Sequence, residues 1–198
     1  ATDRNLWAGG PGLDYLRARG FTDATIRRFR FGYEPHFRFQ DGGTAEPGIV
    51  IPFLVGGKPV LLKRRNLAPA DTKKLLHREP YGSIHPLFNA DALDDAASGT
   101  VFMTEGELDA VSMEQMGFTP CVSGDTGADF FDDAWAEALM GFDSVCVAYD
   151  NDVLGAKGFE KVAAAIGAYR VVRVRLPRGV KDANHALRTG VPASEVRE

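Results

Sequence analysis

Two cysteines are all this chain has, Cys121 and Cys146, and each lies inside an apolar run that reads as a strand. Packing accounts for both. With no CxxC and no Cys/His spacing, the sequence predicts no zinc site. A reduced, cytoplasmic setting is expected. His36, His77, His85 and His185 have no ligand spacing either and are expected at the surface. No apolar run approaches the roughly 20 residues of a membrane-spanning helix, and the first residues have no signal-peptide pattern. Internal repeats and low-complexity tracts are lacking as well.

The charge that is present is unevenly divided. Residues 1–90 hold 14 Lys/Arg against 8 Asp/Glu, and residues 91–198 hold 9 against 19, so +6 stands beside −10. Such a division suits one surface for polyanions and another for cations, or two solvated surfaces of different composition.

In the basic half, the first ten residues read as a flexible lead ending in Gly9-Gly10. Pro11 opens a helix that Gly20 stops, and Thr22 caps a second helix closed by Gly32. Residues 35–48 read as a loop. Residues 49–54 and 59–62 around Gly56-Gly57 read as a β-hairpin, with Pro52 favouring an edge strand. Lys63, Arg64 and Arg65, then Lys73 and Lys74, follow in what reads as a loop-rich segment reaching Asn89. They are solvated loop charges or a site for triphosphate or nucleic-acid backbone. Phe37 and Phe39 around Arg38 form a weak stacking signature.

From about residue 96 the pattern becomes strict alternation: strands at 100–104, 119–122, 144–149 and 170–176, and helices at 107–116, 129–140, 155–166 and 182–188. Short apolar strands alternating with helices predict an α/β fold with a parallel four-stranded sheet and right-handed crossovers. The predicted organisation is a basic α+β subdomain at 1–95, a catalytic α/β domain at 96–190, and a tail at 191–198.

Three acidic signals follow these strands: Glu105-Gly106-Glu107-Leu108-Asp109, Asp150-Asn151-Asp152, and Lys181-Asp182-Ala183-Asn184. Open α/β sheets bind ligands beyond the carboxyl ends of their strands. Carboxylates gathered there repel one another unless a cation joins them, and oxygen donors suit Mg²⁺ or Mn²⁺. Taken singly, Glu105 and Glu107 also fit the acidic first turn of a helix, and Asp150-Asn151-Asp152 fits a turn. Gly155 is expected to pack the next helix closely. Lys157 and Lys181 are candidate phosphate contacts, and Asn184 can supply a neutral oxygen or amide.

In this order the signals resemble the Toprim domain of DnaG-type primases, type IA and II topoisomerases and some nucleases. Glu105-Gly106-x-x-Asp109-Ala110 is similar to its glutamate motif, Asp150-x-Asp152-x-x-Gly155 to its DxD motif, and Lys181-Asp182-Ala183-Asn184 to the third motif of phage primase-helicases. Asp14-Tyr15-Leu16-x-x-Arg19-Gly20-Phe21, then Arg65-Asn66-Leu67, Lys74-Leu75-Leu76 and Pro86-Leu87-Phe88-Asn89, resemble the bacterial primase core ahead of Toprim. The resemblance covers about residues 11–190 and implies a primase RNA-polymerase core. It implies Mg²⁺ or Mn²⁺ on Glu105, Asp150, Asp152 and Asp182, and catalytic roles for Glu105, Asp109, Asp150 and Asp152. Nucleotide or template would meet Lys63, Arg64, Arg65, Lys73, Lys74, Lys157, Lys181 and Asn184, in a groove between the two subdomains. The implied partners are single-stranded DNA, NTPs and a replicative helicase or helicase domain, with the chain a fragment of a longer polypeptide.

Several departures from the family are visible. The zinc module for template recognition and the helicase part are absent. Residues 123–128 only approximate the family's Gly-rich turn, and Asn184 stands where bacterial members often carry an acid. The alternatives are a Toprim nuclease, a non-enzymatic Mg²⁺-binding receiver-like module and a nucleic-acid-binding module. A topoisomerase fragment lacks a tyrosine in a recognisable context, and a phosphatase of the DxDx[TV] type lacks enough chain after Asp152.

Overall fold

The computed structural model describes residues 2–37, 46–67, 76–79, 85–94 and 99–196. Lys73, Lys74, Arg38 and Phe39 lie outside them. The chain divides into two compact units, Ala1–Ser83 and Ile84–Glu198.

The first unit opens with a helix where the sequence suggests a loose lead. α1 (Thr2–Trp7) buries Leu6 completely, and the Arg27 guanidinium stands 3.6 Å over the Trp7 ring. With Leu6 and Trp7 as its only large apolar residues, the segment is too short for any periodicity to register. α2 (Pro11–Ala18) begins at its proline, and α3 (Asp23–Arg28) is capped as expected: Thr22 Oγ1 accepts from the Thr25 amide at 3.1 Å.

Four antiparallel strands follow in the order β1 (Gly32–Phe37), β2 (Glu46–Val55), β3 (Lys58–Asn66), β4 (Leu76–Glu79). The hairpin turns at Gly56-Gly57, both with positive φ. Three expectations are corrected here. Residues 35–37 and 46–48 are strand, hidden in the sequence by Pro35 and Pro47. Pro52 lies in an interior strand, but β1 borders β2 only as far as Val50, so one side of β2 is open at the proline. Lys63, Arg64 and Arg65 are not loop residues; they continue β3 and alternate between its faces.

The second unit has the predicted α/β architecture. α4 (Asp91–Asp94) precedes β5 (Thr100–Thr104), α5 (Glu107–Gln115), β6 (Cys121–Ser123), α6 (Asp133–Leu139), β7 (Ser144–Ala148), α7 (Val153–Ile166), β8 (Val171–Arg173) and α8 (Ala183–Thr189). All four strands are parallel, in the order β6-β5-β7-β8. Val101, Met103, Val122, Val145 and Val147 join Trp135, Leu139 and Val162 in one core on one face of the sheet, while Phe102, Cys121 and Cys146 alternate to the other. In the β5–β7 register Thr104 pairs with Ala148, so the two central strands end level with each other. Among the described residues no helix is long and apolar enough to cross a membrane.

Candidate active site

Glu105 is the first residue past β5, and Asp150 follows β7 by two. Because the strands end level and neighbouring strands are about 4.8 Å apart, the fold brings these carboxylates to one edge. Burial is the largest influence on Glu105 and raises its pKa above the ordinary carboxylate value; the charges of Asp150 and Asp152 raise it further. The Ala128 backbone amide beside Glu105 works the other way. Asp150 is likewise raised by burial, opposed by Lys181 and reinforced by Asp182 and Asp152.

The third signal arrives through Asn151. Its amide nitrogen Nδ2 donates to the Val180 carbonyl at 3.0 Å, and its backbone N–H donates to the Lys181 carbonyl at 3.2 Å. This clamps residues 180–181 beside the Asp150 turn. Lys181 Nζ then bridges Asp150 Oδ2 at 3.5 Å and Asp182 Oδ2 at 3.6 Å. The Asp150 charge is the main reason the Lys181 pKa is raised.

Two of the acids also cap helices. Asp152 Oδ1 accepts from the Gly155 amide at 2.8 Å at the start of α7, and Asp182 Oδ1 accepts from the His185 amide at 2.7 Å at the start of α8. Each keeps its second oxygen outside the cap. Gly155 is required for contact: a Cβ there would overlap the Asp150 carbonyl oxygen and approach the Asp150 backbone nitrogen to 3.0 Å. Gly106 is extended at φ −133° and needs no glycine for its conformation.

Other candidates are placed elsewhere. Asp109 Oδ1 accepts from the Asn184 backbone amide at 2.9 Å. Asn184 is buried, with its side-chain amide on Ser112 Oγ at 3.0 Å, which ties α8 to α5 and turns the side chain away from solvent. Lys157 lies on the exposed face of α7. In the first unit Arg64 Nε donates to Glu34 Oε2 at 2.7 Å, and Lys63 is buried. Among the described residues no three His, Cys, Asp or Glu stand close enough to form a ready metal cage.

Sequence reasoning missed three groups. Tyr149 is buried beside the site, and burial together with the Glu105 charge raises its phenol. His185 accepts the Lys181 amide on Nδ1 at 3.2 Å, a capping role without a recognised signature. His85 is not a surface residue: its side chain is 20% exposed and its Nδ1 meets Asp125, whose side chain is fully buried, at 3.0 Å. The apolar Pro86-Leu87-Phe88 that follows His85 was the available signal.

Comparison with known proteins agrees with this layout. Residues 102–187 match the family described as Toprim-like. A DNA primase of Deinococcus radiodurans is 29% identical over 229 aligned positions, which take in 96% of this chain and 39% of that protein; the chain thus spans about two fifths of that relative's length. Among solved structures, the primase fragment of the bacteriophage T7 primase-helicase protein superposes with a TM-score of 0.71 at 23% identity, over 88% of this chain and 69% of that one. The zinc-binding and RNA polymerase domains of the Aquifex aeolicus primase give 0.74 at 18%, over 93% and 54%. The RNA polymerase domain of the Mycobacterium tuberculosis primase gives 0.70 at 18%, over 99% and 80%.

Proposed function

We infer that this chain, which carries a Toprim-like domain and the fold of primase polymerase cores, is the nucleotidyl-transferring core of a DNA primase. It would join NTPs into short RNA primers on a single-stranded DNA template. The observation that carries this reading is the set at one sheet edge: Glu105 and Asp150 with raised pKa values, Asp152 and Asp182 each held by a helix cap, and Lys181 between two of the acids.

This donor set fits Mg²⁺ or Mn²⁺. Every donor is a carboxylate oxygen, and the burial and then mutual repulsion that raise Glu105 and Asp150 are offset by a cation. Glu105, Asp150, Asp152 and Asp182 would hold it, with waters and phosphate oxygens completing a shell that the protein does not close. When bound, the metal supplies charge neutralisation for a triphosphate and for pyrophosphate as it leaves.

The chain's own residues do the rest. The two caps fix the rotamers of Asp152 and Asp182, so little side-chain freedom is lost on binding. Asp109 and Asn184 hold α8, and so Lys181 and Asp182, in place. Lys181 is well exposed and can leave the acids to meet a phosphate. Lys63, Arg64, Arg65, Lys73 and Lys74 give the first unit its basic charge, suited to template or triphosphate, and in the second unit Lys157 adds a charge on the exposed face of α7. Asp109 and Asn184 act through position. The similar bacteriophage T7 structure belongs to a primase-helicase protein, which suggests a helicase partner, and replication enzymes of this kind work in the cytoplasm.

Labelled NTP incorporation on a mixed single-stranded template, without primer, tests the reading. Short products are expected in Mg²⁺ or Mn²⁺. Asp150→Ala with Asp152→Ala should reduce them at least about 100-fold while the far-ultraviolet circular dichroism is unchanged. Equal activity in the double variant would overturn the site, and a cut template would point to a Toprim nuclease instead.

A further inference from the structure

Asp125 has no exposed side-chain surface, and both of its carboxylate oxygens face one ring nitrogen: His85 Nδ1 lies 3.0 Å from Oδ1 and 3.3 Å from Oδ2. A ring nitrogen that close to a carboxylate is the one carrying the proton, so Nδ1–H donates. His85 is held at two further points. Its ring lies 4.5 Å from the Phe130 ring, and its carbonyl accepts the Trp135 indole N–H. Trp135 in turn covers Gly124 so closely that a Cβ there would overlap its ring. Three residues on from His85, the Phe88 N–H donates to Ser123 O at 2.8 Å, so residues 85–88 meet this loop at Ser123, Asp125 and Phe130.

What that loop carries is the backbone against Glu105: a Cβ on Gly127 would come 3.8 Å from Glu105 Oε1, and the Ala128 amide beside it favours the charged carboxylate. The loop's own hydroxyls do not hold it. Ser123 Oγ and Thr126 Oγ1 are buried and make no hydrogen bond among the described residues. We propose that His85 and Asp125 are a positioning pair: they fix residues 123–128 and thereby hold the Gly127-Ala128 backbone against the Glu105 carboxylate. This rests on the reading of Glu105 as a site carboxylate. Neither residue touches substrate. Their effect is on where Glu105 points, and groups that orient ligand carboxylates commonly change metal affinity about tenfold or more when removed.

The test is Mn²⁺ affinity of the intact chain, measured by electron paramagnetic resonance at fixed pH, together with the exchange rate of the Ala128 amide. His85→Phe keeps a ring against Phe130 but loses the donor. Asp125→Ser removes the pair without leaving a buried charge, and decides the matter if His85→Phe fails to fold. Both should weaken Mn²⁺ about tenfold and speed Ala128 exchange. His85→Asn, which places an amide donor where Nδ1 stood, should stay within about twofold of wild type. Val171→Ala, a packing loss in the same core away from this loop, should lower the melting temperature and leave Mn²⁺ affinity unchanged. Wild-type affinity and exchange in both His85→Phe and Asp125→Ser, with Glu105→Gln impaired, would overturn the pair alone. If Glu105→Gln also bound Mn²⁺ like wild type, the Glu105 site itself would fall, and the proposal with it.

Discussion

Glu105 and Asp150 are carboxylates whose pKa values are raised in the folded chain, chiefly by burial and then by neighbouring acids. The folded state therefore holds their protons more tightly than the unfolded state does. Below the ordinary carboxylate range both states are protonated and nothing is lost. As pH rises through that range toward the raised values, the metal-free protein loses stability from these two groups. Glu105→Gln and Asp150→Asn should each raise the metal-free melting temperature at neutral pH. The gain should be under about 1 kcal/mol, since both groups are only half-buried and solvent screens them. Melts from pH 4 to 8 check this; a gain that is equal at pH 4 would contradict the assignment. The same variants should lose nucleotide incorporation, the usual opposition of stability and activity at a charged site. Gly155→Ala probes the fit instead. Its Cβ would overlap the Asp150 carbonyl, so it should cost about 2 kcal/mol in denaturant melts and lower activity along with stability.

At the scale of elements, helix starts organise the site. α7 and α8 begin on Asp152 and Asp182, and His185 closes the second cap through the Lys181 amide. His185→Gln, whose side chain can reach back in the same way, should retain Mn²⁺ affinity. His185→Ala should lose some and should loosen residues 181–183 to amide exchange, about 1 kcal/mol of local stability. Equal exchange in the two variants would remove His185 from that role. These starts explain why the second unit was legible in the sequence. β5 runs into Glu105, β6 into Gly124 and β7 through Tyr149 into Asp150, so period and punctuation agree there. The first unit was less legible because its strands contain proline, at Pro35, Pro47 and Pro52, and because α1 has too few apolar residues to show a period. Asn184 and His85 were misread for another reason. Their roles depend on Ser112 and Asp125, 72 and 40 residues away, and no local pattern encodes such partners.

For the whole molecule, the division at Ser83–Ile84 assigns each unit its own buried residues. The second unit's core, from Leu87 to Val171, lies entirely within Ile84–Glu198. A fragment of residues 84–198 should therefore fold alone and melt in one cooperative transition. It should bind Mn²⁺ within about threefold of the intact chain, because the four acids and the His85–Asp125 pair all belong to it, yet incorporate no nucleotide without the basic unit. Calorimetry and the incorporation assay examine both expectations; an unfolded fragment would refute the independence of this unit. Lys181, bridging Asp150 and Asp182, has a last consequence, and it concerns time. A chain made from its N-terminus folds as it emerges, and Lys181 follows Asp150 in the sequence by 31 residues (181 − 150). Glu105 and Asp150 thus emerge ahead of Lys181, the ammonium that bridges Asp150 and Asp182. For that interval the nascent sheet carries unrelieved repulsion at its most charged edge, and a divalent ion in the surrounding medium is the partner that can relieve it first.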